Sequence, residues 1–325
     1  MRAVIHEQFG EPEDVLHVVD RPVPEPGPGQ VRVRTTLATI HNHDLWTVRG
    51  TYGFVPELPA ASGTEAVGVV EALGEGVDAL AVGDRVIAGG VFGVWAEQFV
   101  AKAAALMRAP EGIPDEAAAQ LVAMPFSTVS LLHDLAIEPG QWLVQNAANG
   151  AVGRMVAQLA RARGVRVVGI VRRPEAIDEL RAAGIDCIVT TSDAGWRERV
   201  AELTAGEAIV AGIDSVGGAA AGDLLSVLGE GGTLIAFGAM GASTLELPVG
   251  DLIFKQARVR GFWGSTVTRT MQPDVRQRLF AELGERLAAG DLTLPVASIH
   301  AFDDVRDAVR ASLTPGRVGK VLLRP

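Results

Sequence analysis

Between residues 119 and 263, short apolar runs alternate with stretches of helical periodicity. This alternation narrows the possible folds more than any other feature of the chain. "QWLVQN" reads as a short buried strand, after which Val152, Met155, Val156, Leu159 and Ala160 recur at the spacing of one helix face. Gly164 ends that helix, with Arg161 and Arg163 at its electronegative end. "VRVVGIV" is a second strand, "PEAIDELRAAG" a second helix and "DCIVT" a third strand; "EAIVAGIDSVGG", "GGTLIAFGAM" and "ARVRGFW" continue the series. Parallel neighbours need a crossover between them, usually a helix, so this alternation predicts an α/β unit built on a doubly wound parallel sheet.

The flanking sequence follows another pattern. "VRVRTTLATI", "AVGVVEALG" and "GDRVIAGG" read as short strands, with Gly74, Gly76 and Gly83 in the turns. The four prolines of "RPVPEPGPGQ" mark a stiff surface loop feeding a strand, and "PDEAAAQL" opens a helix with Pro114 near its start. A helix is expected over about 273 to 289, where Val275, Leu279, Leu283 and Leu287 fall at i+4 steps; "GRVGKVLLRP" closes the chain as a strand. At 325 residues two domains are expected. The economical division is a β-rich domain from both chain ends, residues 1–118 plus 264–325, interrupted by the α/β domain at 119–263.

The loop "NAANGAVGR" joins the first strand of the alternating half to its first helix. Read against the dinucleotide pattern G-x-G-x-x-G, residues 148 to 153 give A-x-G-x-x-G. Alanine in first place weakens the bare motif, but the strand–loop–helix–strand context has the spacing the motif requires. Asn149, Gly150, Ala151, Val152 and Gly153 are therefore the expected pyrophosphate cradle: Gly150 lets the backbone approach, Gly153 lets helix and strand pack closely, and the helix N-terminus faces the anion. The second strand ends at Arg172 and Arg173, where an acid would hydrogen-bond the ribose hydroxyl of NAD. Two arginines suit the 2′-phosphate instead, so NADPH is the expected cofactor; the plain alternative is a solvated pair opening a helix.

Composition excludes several classes. Lys and Arg total 29 against 39 Asp and Glu, a net charge of -10, which argues against a general nucleic-acid or anionic-membrane surface. No apolar run reaches membrane-spanning length, and Glu7, Glu11, Glu13 and Asp14 stand where an export signal needs apolar residues. Cys187 is the single cysteine, which rules out an internal disulfide and a Cys-rich zinc lobe; the cytoplasm is the expected compartment.

Across nearly its whole length the chain resembles the medium-chain dehydrogenase/reductase superfamily, through "PEPGPGQVRVR", "GTEAVGVV" with "VGDRV", "NAANGAVGRMVAQLARARG" and "GRVGKVLL". Within it, "GTYGFVPELPA", "NAANGAVGR" and "LIFKQARVRGFWGS" are most similar to the zinc-free enoyl thioester reductases, and "GTEA" is shared with quinone oxidoreductases. The resemblance implies a GroES-like β-rich catalytic domain beside a Rossmann nucleotide-binding domain, with cofactor and substrate meeting in the cleft between them, and a homodimer. It also implies roles for single residues. Tyr52, the only tyrosine, matches the proton donor of the enoyl thioester reductases. Phe237, Gly238 and Met240 match the loop along the nicotinamide ribose, Phe262 and Trp263 match residues beside the nicotinamide, and Lys320 matches a terminal lysine near the cofactor. Plainer readings are core aromatics for Phe237 and Phe262 and an exposed strand end for Lys320. One departure is Met124, standing before Pro125 where the enoyl reductases often carry Asn.

Zinc members of the superfamily carry Cys and Gly-His-Glu where this chain has "HNHD" and Thr64–Glu65. His41, His43 and Glu65 are metal-competent types; His41 and His43, two apart, would share a strand face, with no third ligand evident, so no metal is expected. A carbonyl reduction without a Lewis acid lacks its usual alkoxide stabiliser, whereas reduction of an activated C=C bond delocalises charge onto a carbonyl. The expected function is NADPH-dependent reduction of α,β-unsaturated carbonyl compounds, enoyl thioesters foremost, with small-molecule partners only. Quinone or enone reduction is the alternative, ahead of a zinc alcohol dehydrogenase or a non-catalytic NADPH-binding protein.

Overall fold

The computed structural model describes residues 1–325 and divides them into two compact units, Met1–Met124 with Leu294–Pro325, and Pro125–Thr293.

The first unit is β-rich. A seven-stranded sheet has the order Val296–Ala301, Lys320–Arg324, Gln30–Thr39, Glu65–Leu73, Arg85–Gly89 and Leu106–Arg108, with Gln98–Lys102 also paired to Gln30–Thr39. Strand Lys320–Arg324 runs antiparallel to Gln30–Thr39, with Leu322 opposite Thr39, so the two chain ends complete one sheet. Alternation in "VRVRTTLATI" puts Val31 and Val33 into a core that also holds Trp95, Phe99 and Phe302. The proline-rich segment forms no regular structure and delivers the chain to Gln30.

The second unit is a six-stranded, fully parallel sheet in the order Ile188–Thr190, Arg166–Val171, Trp142–Gln145, Ile209–Asp214, Thr233–Ala236 and Arg258–Gly261. Helix Ala151–Ala162 packs on it through the expected face, with Met155, Val156, Leu159 and Ala160 buried. The doubly wound α/β prediction thus matches the observed architecture.

Three expectations change. The units divide at 124/125 and 293/294 rather than at 118/119 and 263/264. Helix Pro273–Ala288 buries Leu279 and Leu283, and its Glu282 pairs with Arg163 at 2.8 Å, which ties 264–293 to the parallel-sheet unit. The helix begun at "PDEAAAQL" lasts only Asp115–Ala118; the chain then makes a π turn over Val122–Phe126 that contains Pro125. Finally, "HNHD" is not a strand. His41 precedes helix Asn42–Arg49, and the Asp44 carboxylate accepts the His41 N–H at 2.8 Å, a bond that opens the helix.

Candidate active site

In the parallel-sheet unit, the predicted cofactor residues all follow the carboxyl ends of strands, where open α/β sheets bind ligands. Gly150 occupies the N-cap position of helix Ala151–Ala162, and the first-turn N–H groups of Ala151, Val152 and Gly153 have no acceptor within the helix. A Cβ on Gly153 would stand 2.7 Å from the carbonyl oxygens of both Ala147 and Ala148, so only glycine lets the helix press this closely on its loop. Beyond strand Arg166–Val171, Arg172 and Arg173 are exposed and neither pairs with a carboxylate. The Phe237 and Phe262 rings stack with centroids 5.9 Å apart, and the N–H groups of Phe237 and Gly238 both donate to the Asp214 carbonyl. Phe262 is buried, while Met240 is 58% and Trp263 48% exposed.

Sequence reasoning missed a brace in this unit. Buried Asp214 accepts Asn146 Nδ2 at 2.5 Å and the N–H groups of Val216 and Gly217, while Asn146 Oδ1 accepts Ser215 N–H at 2.8 Å. Two strand ends are thereby locked beside the glycine loop. The signal was an acid closing the apolar run "IVAGID", a poor place for a charge unless it has partners.

The β-rich unit gathers Tyr52, His41, His43, Asp44, Thr64, Glu65 and Lys320. His41 Nε2 lies 2.6 Å from Glu65 Oε2, and the other carboxylate oxygen accepts N–H bonds from Val122 and Ala123 at the π turn. His43 Nε2 lies 2.7 Å from Thr64 Oγ1, which donates to Asp44 Oδ1 at 2.6 Å. The imidazoles of His41 and His43 stack at 4.9 Å, and His43 stacks on the Tyr52 ring at 5.6 Å. Tyr52 and the three metal-competent residues therefore form one cluster, in which His41 bonds Glu65, His43 bonds Thr64 and the rings of His41, His43 and Tyr52 stack.

Burial dominates the electrostatics. It pushes the Glu65 carboxyl up to about 8, opposed by the N–H groups of Ala123 and Val122 and by Lys320. It lowers the Lys320 ammonium to about 8, with Arg317 adding to the effect and Glu65 and Asp44 opposing it. His41 is held well below its ordinary value by burial, and His43 is lowered by burial against the pull of Asp44.

A β-rich unit assembled from both chain ends, with a doubly wound dinucleotide unit between, defines a class: the nicotinamide-dependent oxidoreductases of GroES-like and Rossmann build. Residues 27–111 match the alcohol dehydrogenase GroES-like domain family and residues 151–281 the zinc-binding dehydrogenase family. The human mitochondrial enoyl-[acyl-carrier-protein] reductase is 32% identical over 329 residues, spanning 99% of this chain and 88% of the human one. The Escherichia coli quinone oxidoreductase complexed with NADPH superposes with a TM-score of 0.90 at 25% identity, covering 100% of both chains. The Pseudomonas syringae quinone oxidoreductase gives 0.89 at 28%, covering 100% of this chain and 99% of that one. The chain belongs to the medium-chain dehydrogenase/reductase superfamily.

The groups this membership implies fit unequally. The glycine cradle and the two unpaired arginines fit a phosphorylated dinucleotide. The zinc in the second family's name does not fit: His41 and Glu65 are bonded to each other, Thr64 offers a hydroxyl, and no group of three or more His, Cys, Asp or Glu is arranged to hold an ion.

Proposed function

We propose that this protein is an NADPH-dependent reductase of activated C=C bonds in α,β-unsaturated carbonyl compounds, with enoyl thioesters as the foremost substrates. The observation that carries the reading is Tyr52, held against His43 at the margin of a buried hydrogen-bonded cluster. When bound, NADPH supplies the hydride for the β carbon. The chain's part is to position the cofactor and deliver a proton. Ala151, Val152 and Gly153 offer N–H groups to the pyrophosphate, and Arg172 and Arg173 offer guanidinium donors to the 2′-phosphate. The Tyr52 phenol is the chain's donor, giving its proton to the α carbon as the enolate collapses.

Quinone or enone reduction is the second reading, favoured by the full-length likeness to the Escherichia coli quinone oxidoreductase. A homodimer is part of the proposal, supported by the exposed edge strand Arg258–Gly261. A reducing compartment is proposed from the single Cys187.

The test is NADPH oxidation against short and long enoyl thioesters, simple enones and quinones. The highest kcat/KM is expected with a thioester; preference for quinones would select the second reading, and no turnover with any of them would defeat both. Tyr52→Phe should lower kcat roughly 100-fold and leave NADPH binding intact. Arg172→Ala with Arg173→Ala should raise KM for NADPH at least about tenfold while sparing NADH. Equal effects on both cofactors would remove the 2′-phosphate assignment.

A further inference from the structure

We propose that Asn146 and Asp214 are positioning residues for the nicotinamide half of NADPH. Together they join the loops that receive it to the pyrophosphate cradle, so that cradle and loops stand ready as one surface. The inference rests on NADPH being the cofactor and on Arg172 and Arg173 taking its 2′-phosphate.

Sheet order gives the direction in which the dinucleotide lies. The glycine cradle follows strand Trp142–Gln145, and the two arginines follow Arg166–Val171, its neighbour on one side. With the 2′-phosphate at the arginines and the pyrophosphate at the cradle, the adenosine half occupies that side. The nicotinamide half then continues the other way, over the carboxyl ends of Ile209–Asp214 and Thr233–Ala236. The segments that leave those ends are 215–218 and 237–244.

Backbone hydrogen bonds hold these two segments to each other. Met240 N–H donates to the Ser215 carbonyl at 3.1 Å, Gly241 and Ala242 N–H to that of Val216 at 2.8 and 3.0 Å, and Gly218 N–H to that of Thr244 at 2.6 Å. Gly217 has a φ of 81°, and a Cβ there would stand 2.4 Å from the Ala242 carbonyl oxygen, so only glycine allows the approach.

Two side chains then join this paired loop to the cradle. Asp214 is fully buried, and its Oδ1 accepts the N–H groups of Val216 and Gly217 at 3.1 Å each. The same oxygen accepts Asn146 Nδ2 at 2.5 Å, and Asn146 Oδ1 accepts Ser215 N–H at 2.8 Å. Asn146 directly precedes Ala147 and the cradle, while the Asp214 carbonyl accepts Phe237 and Gly238 N–H at 2.8 and 3.1 Å. One carboxylate and one amide therefore tie together the ends of three adjacent strands. Ala239, Met240 and Gly241 are exposed, and a loop of that kind without such ties would be ordered only when the cofactor arrives, at a cost in affinity.

The experiment compares binding of two ligands by calorimetry in Asn146→Ala, Asp214→Ala and Asp214→Asn. NADPH spans the arginines, the cradle and the paired loop, whereas 2′,5′-ADP carries only the adenosine end. Both alanine variants are expected to weaken NADPH roughly tenfold or more and to leave 2′,5′-ADP within about twofold of wild type. Asp214→Asn keeps an acceptor oxygen in the Oδ1 position and should hold NADPH within about threefold of wild type. The double alanine variant should lose less than the product of the single losses, because both changes cut one network.

Unchanged NADPH affinity in both alanine variants, equal weakening of both ligands, or multiplying losses in the double variant overturns the proposal while the cofactor assignment stands. A wild type that binds NADPH but not 2′,5′-ADP removes the arginine assignment, and one that binds neither removes the cofactor; the proposal falls with either. Should an alanine variant fail to fold, Asn146→Ser, polar but too short to bridge both partners, carries the same comparison.

Discussion

Glu65 shows how far a residue's neighbours can change its chemistry. From sequence it was a carboxylate of metal-competent type; in the fold it is sealed from water, with His41 on one oxygen and two N–H donors from a π turn on the other. Its carboxyl rises from 4.5 to about 8, so the folded protein holds a proton that the unfolded chain releases between those values. The stability this supplies is complete below about pH 4.5 and is lost as pH climbs through about 8. Lys320, lowered from 10.5 to about 8, acts with the opposite slope, but only above that window. Urea titrations should therefore show wild-type stability declining across the window relative to Glu65→Gln, by up to about 5 kcal/mol. Parallel pH dependence in the two proteins would mean that Glu65 is ionised throughout. Arg172 and Arg173 could be proposed from residue type and local position, and Tyr52 from the family resemblance. The partners of Glu65 lie 24 and nearly 60 positions away along the chain, so no local pattern could reveal them.

Among the elements, the strand, glycine loop and helix spanning residues 142–162 were legible together, since period and punctuation agree with what packing demands there. Gly153 sits where that agreement is tightest. Gly153→Ala would drive a Cβ into two backbone carbonyls that cannot rotate away, so a loss of roughly 1–3 kcal/mol in thermal unfolding is expected. NADPH binding should weaken as well, because the shifted loop carries the first-turn N–H groups. A variant with unchanged melting temperature and NADPH affinity would show that the loop relaxes at no cost. The π turn at Val122–Phe126 was not legible. "PDEAAAQL" reads as opening a helix with nothing local to mark the π turn after it, and the extra residue per turn is rewarded only by a carboxylate arriving from strand Glu65–Leu73. The strand reading of "HNHD" failed for a similar reason: the bond that opens a helix there joins the Asp44 side chain to the His41 backbone, and hydrophobic period does not register it.

For the whole molecule, the parallel-sheet unit carries an unusual apolar surface. Strand Arg258–Gly261 is an exposed edge, and the preceding helix Val249–Phe254 presents Val249, Ile253 and Phe254, the last 82% exposed. An unpaired edge flanked by large apolar side chains is a liability unless a copy covers it, and edge-to-edge pairing about a two-fold axis would do so. Phe254→Asp should convert the proposed dimer to a monomer in sedimentation equilibrium; a wild-type monomer would refute the assembly outright. The sequence by itself determined the doubly wound half, its strand–glycine loop–helix unit and the β-rich character of the chain ends, because each is written in local period, punctuation and residue type. Only the tertiary structure decided that the helix over 273–288 belongs with the parallel sheet, and that His41 is bonded to Glu65 and His43 to Thr64 rather than joined in an ion-binding set. It also decided that the Tyr52 ring stacks on His43, which lies within hydrogen-bond distance of Thr64, itself bonded to Asp44. The physical reason is the same in each case: burial sets the energy of a polar group through partners distant in sequence, and only the closed fold brings those partners into contact.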